Sequence, residues 1–305
     1  MKVRVSAPGK LMIFGEHAVV YQRPCIVTAV SSRIHVTVEA KKEGFTIDAP
    51  QVKDVRFVEE TIRTFKQNYP FNLGLSIKTE SEFSSLFGFG SSSAVTVALL
   101  YGLSKINKVH LTQEEIFRLG YEINLRVQGV GSGFDIAAAT FGKTLHFFTG
   151  GKIIRPLKTK KLPLVVGYSG IKADTPKIVR LLKEKMDKNK EEYEKIFDQI
   201  KKIVEEGKDA LEKQDWEKTG LLMNKNHQFL QELGVSIDKL DQMCQAALNA
   251  GAYGAKLSGA GGGDCMIALV NESNQEKVEQ AIKLVGGEII KVEVNALGVS
   301  EDKSL

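Results

Sequence analysis

A chain of 305 residues, 43% hydrophobic and 26% charged, has the composition of a soluble globular protein and is long enough for two ordinary domains with a sizeable core. No apolar run approaches a membrane span, and the N-terminus MKVRVSAPGK moves straight into patterned sequence, so no membrane partner and a cytoplasmic location are expected. The net charge of +5 suits an anionic substrate or, equally, a lysine-rich solvated surface such as Lys183 to Lys195; lysines alternating with glutamates, without an aromatic-basic platform, exclude nucleic acid.

Val3, Val5 and then Leu11 to Phe14 read as two short strands broken by Ala7-Pro8-Gly9. Lys10, Glu16 and His17 interrupt a run that would otherwise be core, and buried charge is costly unless it is paired or used, so these three are either strand-end ion pairs or site residues. Cys25 to Ala29 and Ile34 to Glu39 continue as strands, with His35 on a wet, polar face. Cys25, Cys244 and Cys265 are odd in number and lack metal-ligand spacing, which marks them as reduced, packed thiols. Helical spacing over Val55 to Gln67 is followed by a strand over Leu73 to Lys78.

The stretch SSLFGFGSSSAVTVALL, Ser84 to Leu100, reads as an anion cradle. Gly88 and Gly90 allow close backbone approach, Ser91, Ser92 and Ser93 offer hydroxyls, and an apolar helix over Ala94 to Leu103 would point unpaired N–H groups at a ligand. A serine-capped buried helix after a tight turn explains the same residues. The stretch fits neither the Walker nor the GxGxxG form.

Thr112 and Glu115 form a capping box opening a helix striped by Ile116, Leu119, Ile123 and Val127. After Gly131-Ser132-Gly133 stands Asp135, either a helix N-cap or a working carboxylate, ahead of the small run Ile136 to Ala139. Leu145 to Phe148 is a strand; Gly150-Gly151 and the basic stretch Lys158 to Lys161 mark a boundary that divides the chain into domains at 1–158 and 159–305. Leu164 to Tyr168 resumes as a strand. Thr175-Pro176 starts a helical half in which His227, at helical spacing beside Met223 and Leu230, is a satisfied packing residue. Ser258 to Asp264 holds four glycines in five positions, Gly259 and Gly261 to Gly263, which implies close backbone approach to something; Cys265 to Val270 is a buried strand. Ser273 and Glu276 predict a capping box for the last helix, Glu288 to Val294 a final strand, and Glu301 to Leu305 a mobile tail.

Glycine loops, hydroxyl and carboxylate oxygens and a buried lysine are the parts of a phosphoryl-transfer site, and their co-occurrence outweighs any one of them. Three motifs in order, APGKLMIFGEHAVVY, GFGSSSAVTVAL and KLSGAGGGDCMIAL, resemble the GHMP small-molecule kinases. Within that family, residues 15–21, 169–175 and 222–227 are most similar to mevalonate kinases, whereas 131–139 look closer to phosphomevalonate kinases. The resemblance implies an α+β fold of two domains, ribosomal-protein-S5-like and then ferredoxin-like with added helices. ATP, Mg²⁺ and mevalonate would meet between them. It further implies Asp135 as the catalytic carboxylate and Lys10 beside it, and Gly88, Gly90 and Ser91 to Ser93 as the phosphate loop. Ser92 would serve the metal, Glu16, His17 and Thr175 the substrate side, and Gly259, Gly261 and Gly262 the third loop. Dimers are common in the family, but no segment of the chain identifies an interface.

Two departures stand out. Mevalonate kinases usually carry a metal-binding glutamate where this chain has Asn124, and Glu122 lies about 200° away around the helix. Leu86 and Phe87 stand where the family usually has small residues. The alternatives are phosphomevalonate kinase and a non-catalytic ligand-binding relative.

Overall fold

The computed structural model describes residues 1–50, 55–159 and 162–302; Lys160 and Lys161 of the basic stretch, and the last three residues of the tail, lie outside them. The N-terminal half runs β1 (Lys2–Phe14), β2 (Pro24–Lys41), β3 (Phe45–Asp48), α1 (Arg56–Asn68), β4 (Gly74–Ser81), α2 (Ser91–Ile106), α3 (Gln113–Gln128), α4 (Phe134–Phe141), β5 (Thr144–Phe148) and β6 (Ile153–Pro156). The rest runs β7 (Leu164–Tyr168), α5 (Thr175–Lys188), α6 (Lys190–Lys213), α7 (Trp216–Glu232), α8 (Asp238–Asn249), β8 (Gly254–Ser258), β9 (Cys265–Leu269), α9 (Gln275–Leu284), β10 (Glu288–Ile290) and β11 (Ser300–Glu301).

The first sheet is ordered β11-β1-β2-β4-β3, and β2 carries it. Its start, Pro24 to Thr28, pairs β5 while its end, Ile34 to Lys41, pairs β4, so one long strand replaces the two expected there. The Ala7-Pro8-Gly9 break is likewise not a break: β1 runs through it antiparallel to β2 and shifts register between Pro8 and Lys10. Proline lacks a ladder N–H, and a bulge accommodates that without ending the strand. α2 is buried nearly all round against β1, β2 and helices α1, α3 and α4, which explains its continuous apolar sequence.

The second sheet is antiparallel and ordered β10-β7-β9-β8, with α5 to α8 between its first and second strands and α9 between its third and fourth. That is the split βαβ arrangement expected for the second half, with extra helices inserted. The predicted cap of α9 does not form: Asn271 caps a short turn over Glu272–Asn274 instead, and α9 starts at Gln275 without a side-chain cap.

The two halves do not part cleanly at residue 158. After β10 the chain returns to the first sheet through bridges Val30 to Val294 and Gly142 to Leu297, then adds β11 beside β1. Arg33 donates to the carbonyls of Leu297 and Gly298, and Asp302 accepts from Ser6 Oγ at 2.6 Å and from His35 Nδ1 at 2.6 Å. Glu301 and Asp302 are therefore held rather than mobile, and His35, expected to be solvated, is bound by Asp302 and Glu82. His227 is satisfied as expected, by Asp241 Oδ1 at 3.0 Å and the Leu257 N–H at 3.3 Å. The three cysteines are free and buried, and burial pushes each thiol's pKa up, so they stay protonated. Among the described residues no helix is long and apolar enough to cross a membrane.

Candidate active site

Gly88 (φ 71°) ends a short turn over Ser85–Phe87, and Gly90 (φ 75°) is the N-cap of α2; both take the left-handed backbone that glycine adopts freely. Beyond them Ser91, Ser92 and Ser93 form the first turn of α2, one turn longer than the apolar pattern indicated. The first N–H groups of this turn have no intrahelical acceptor, and the helix dipole adds a positive field there. Ser93 Oγ is buried without a hydrogen-bond partner. Phe87, out of place by family resemblance, packs its ring against Phe89 at 5.7 Å and against Tyr168 of β7 at 5.2 Å, tying the loop's entry to the second sheet; Leu86 is exposed.

The space left by the two missing side chains is filled by the protein. A Cβ on Gly90 would lie 3.3 Å from Lys10 Cε and 3.7 Å from Asp135 Cβ, so the phosphate-loop candidate, the buried lysine and the aspartate meet at one point. Lys10, on β1 just past the bulge, donates from Nζ to the Gly88 carbonyl at 2.8 Å and from its backbone N–H to the Phe89 carbonyl at 2.9 Å. Burial pulls its ammonium pKa down from the ordinary value, against the attraction of Asp135 and then of Asp264. Asp135 is not an N-cap. Gly133 holds that position of α4, and Asp135 sits in the first turn, half-buried, its Oδ1 accepting from the Ile136 N–H at 3.0 Å.

Gly259, Gly261, Gly262 and Gly263 all have positive φ. At Gly261 a Cβ would lie 2.1 Å from the Val235 carbonyl oxygen, and at Gly263 2.4 Å from that of Ile171, so these positions approach the protein's own backbone. Gly259 alone of the four has nothing within 4 Å of where its Cβ would be, which leaves it the one facing open space. Asp264 follows, itself at φ 55°, with Oδ1 accepting from Lys172 Nζ at 3.1 Å and from the Ala173 N–H at 3.0 Å. A Cβ on Gly88 would lie 2.3 Å from Asp264 Oδ2.

The residues expected on the substrate side divide. His17 bonds through Nε2 to the Ala260 carbonyl at 2.9 Å, and burial lowers its pKa to about 4, so the ring is neutral near pH 7 and donates. His17 thus fastens the first motif to the third. Glu16 does not reach an open surface: it and Lys256 of β8 are each 0% exposed and form a buried ion pair across the two halves. Burial pushes the Glu16 carboxyl up and the Lys256 ammonium down, each opposed by the partner's charge. That corrects the substrate-side placement, for a carboxylate so enclosed holds the halves together. Thr175 is exposed at the head of α5, beside the glycine loop, where Ile178 occupies the space a side chain on Gly262 would need.

Asn124 is buried on α3 with its Oδ1 unpartnered, and Ser132 Oγ is buried and unpartnered as well. Glu122 points elsewhere, onto Arg126 at 2.5 Å, as the helical rotation required. Among the described residues no three His, Cys, Asp or Glu cluster as a metal site. The unpartnered oxygens of Ser93 and Asn124 are each of the neutral, hard type that a magnesium ion accepts when it keeps its waters and binds chiefly through phosphates. Lys256, Asp264 and Lys172 were missed in the sequence. Lys256 carried the same signal as Lys10, a charge inside an apolar strand, and Asp264 is a charge standing between a glycine run and a buried strand.

A glycine turn opening a buried helix, a buried lysine near an aspartate, and a glycine loop, carried by an N-terminal sheet and a split βαβ sheet, are the arrangement of a small-molecule kinase fold. The family models for the GHMP kinases N terminal domain and GHMP kinases C terminal match residues 56–143 and 208–287. A mevalonate kinase from Thermococcus gammatolerans is 35% identical, with 98% of each chain covered. The crystal structure of L. major mevalonate kinase in complex with R-mevalonate is 26% identical with a TM-score of 0.83 over 96% of each chain. That of a Lin0012 protein from Listeria innocua, 24% identical over the whole of both chains, shares the fold at a TM-score of 0.91. The chain belongs to the GHMP kinase family.

Proposed function

We propose that this chain transfers the γ-phosphoryl group of ATP to the C5 hydroxyl of mevalonate. The observation that carries the reading is the meeting of Lys10, Asp135 and Gly90 at the N-terminus of α2. Phosphoryl transfer to an alcohol needs a polyphosphate held by fixed donors, a base for the hydroxyl proton and positive charge near the forming bond. The N–H groups of Ser91 to Ser93 and the hydroxyl of Ser92 hold the phosphates. Asp135, oriented by the Ile136 N–H, takes the proton from the hydroxyl; Lys10, fixed on the Gly88 carbonyl, stabilises charge on the attacking oxygen. Magnesium, when bound, would neutralise charge on the β- and γ-phosphates. The side-chain oxygens of Ser92, Ser93 and Asn124 would hold it. Gly259 fronts the ligand, His17 fixes the adjacent Ala260, and Thr175 stands on the acceptor side.

Mevalonate as the acceptor rests on the relatives that bear that enzyme's name along nearly the whole chain. The test is ADP release by the purified protein with ATP and either mevalonate or phosphomevalonate. Turnover with mevalonate is expected; turnover with phosphomevalonate alone reassigns the acceptor. No turnover with either, together with an Asp135→Ala protein that binds ATP unchanged, would leave a non-catalytic binding relative.

A further inference from the structure

Lys172 has no place in the reaction as described, yet it is held at the phosphate loop. Its Nζ lies 3.1 Å from Asp264 Oδ1, and the other oxygen of that carboxylate presses on Gly88, whose missing side chain makes the room. Lys10 reaches the same glycine from the other side, through its carbonyl oxygen. Two ammonium groups therefore bracket Gly88, close enough that the charge of Lys172 helps to lower the pKa of Lys10. Like charges brought together in a partly desolvated place are unfavourable unless anions lie among them.

Asp264 ends the glycine run with a side chain. Its backbone is left-handed, which aspartate tolerates better than most side chains though less freely than glycine, and the three residues before it are glycines with positive φ. A side chain kept there, almost wholly buried and bonded to Lys172 and to the Ala173 N–H, orders the segment before α5. The Lys172 side chain remains 44% exposed and so can reach solvent and ligand.

We propose that Lys172 is a phosphate-binding residue of the nucleotide site and that Asp264 is the positioning residue which holds it there. In this structure Lys172 contacts the Asp264 carboxylate, and Asp135 lies near Lys10 at Gly90. A polyphosphate entering at the start of α2 brings net negative charge beside Gly88, where a second cation strengthens its binding. The inference rests on the nucleotide-binding reading above and deepens it, but is independent of which alcohol accepts the phosphate.

The test is calorimetric titration with MgATP, without acceptor, on wild type and the variants Lys172→Gln, Lys172→Arg, Asp264→Asn and Asp264→Gly. Lys172→Gln should weaken binding about tenfold, as loss of one charge-assisted contact does, and Lys172→Arg should restore most of it. Asp264→Gly should weaken binding similarly, the relief of the left-handed backbone offsetting part of the stability lost with the bond to the Ala173 N–H. Combining Asp264→Asn with Lys172→Gln should weaken binding no further than Lys172→Gln alone, since both act through the same ammonium. Binding of MgATP to Lys172→Gln within twofold of wild type overturns the role of Lys172. So does a Lys172→Gln protein that, in a steady-state assay with acceptor present, is defective only in the acceptor KM. A wild-type protein that binds no MgATP overturns the nucleotide reading itself, a result distinct from both.

Discussion

Replacing Lys256 with methionine should lower the stability of the fold by about 3–5 kcal/mol, because it strands the Glu16 carboxylate in a site with no solvent access. The ammonium supplies Glu16 Oε1 with its partner, while Oε2 has none, so nothing nearby can take over. Neutralisation limits the damage: the stranded carboxyl takes up a proton at a cost of about 1.4 kcal/mol for each pH unit by which the solution lies above the ordinary glutamate pKa. The sign follows. A carboxyl whose folded pKa lies above its unfolded value holds more protons when folded, so the variant loses stability as pH rises through the unfolded value, about 4.3, towards the folded one. The deficit against wild type should accordingly be smaller at pH 5 than at pH 7. Adding Glu16→Gln to Lys256→Met should recover much of the loss, since a neutral pair is less costly to bury than one charge. Urea unfolding of the four proteins of this cycle at both pH values measures it. Additive single effects, with Lys256→Met costing under about 1 kcal/mol, would refute the argument from an unpaired buried charge.

Asp135→Asn should lower kcat by about 10²–10⁴ with KM for either substrate changed only a few-fold, because a base acts mainly in the transition state; equal losses in binding and turnover would count against it. His17, with its pKa near 4 when folded against 6.5 ordinarily, binds a proton more readily in the unfolded chain. Its contribution is therefore complete above pH 6.5 and is lost as pH falls towards 4, by roughly 3 kcal/mol at most. His17→Gln should flatten that part of a stability–pH curve. Gly261→Ala should destabilise the protein more than Gly259→Ala: both incur left-handed strain of about 1–3 kcal/mol, but only the former drives a methyl against the Val235 carbonyl. Equal urea midpoints would show that Gly259 is not the open position.

Local signals in the sequence carried much of the fold. The Thr112–Glu115 capping box forms as read, with Thr112 Oγ1 accepting from the Glu115 N–H and Glu115 Oε2 from the Thr112 N–H, and β7 occupies Leu164–Tyr168 as expected. Both features depend on residues a few positions apart. The break predicted at Ala7-Pro8-Gly9 failed because Pro8-Gly9 is a turn signal by itself and becomes a bulge when β2 is there to pair on either side of it. Asn271 displaced Ser273 as a cap for a similar reason, since a capping box defines a helix start only if no nearer side chain claims the backbone first.

The contacts that assemble the candidate site are of another kind, and they explain what the motifs alone could not divide. Lys10, Asp135 and Gly90 could be grouped because each breaks a local pattern, a charge in a strand or a glycine before a helix. Glu16 breaks the pattern in the same way, yet its partner is 240 residues distant on β8, and His17 reaches Ala260 across 243. A buried charge in an apolar run therefore reports that a partner exists without saying whether that partner is a ligand or another part of the chain. In this fold the distinction lies in what remains open. Lys10 keeps company with a half-buried aspartate and with the first, unpaired turn of a helix, whereas Glu16 is closed on every side by protein. The first arrangement pairs charge with donors that have no protein partner; the second ties the two sheets to each other.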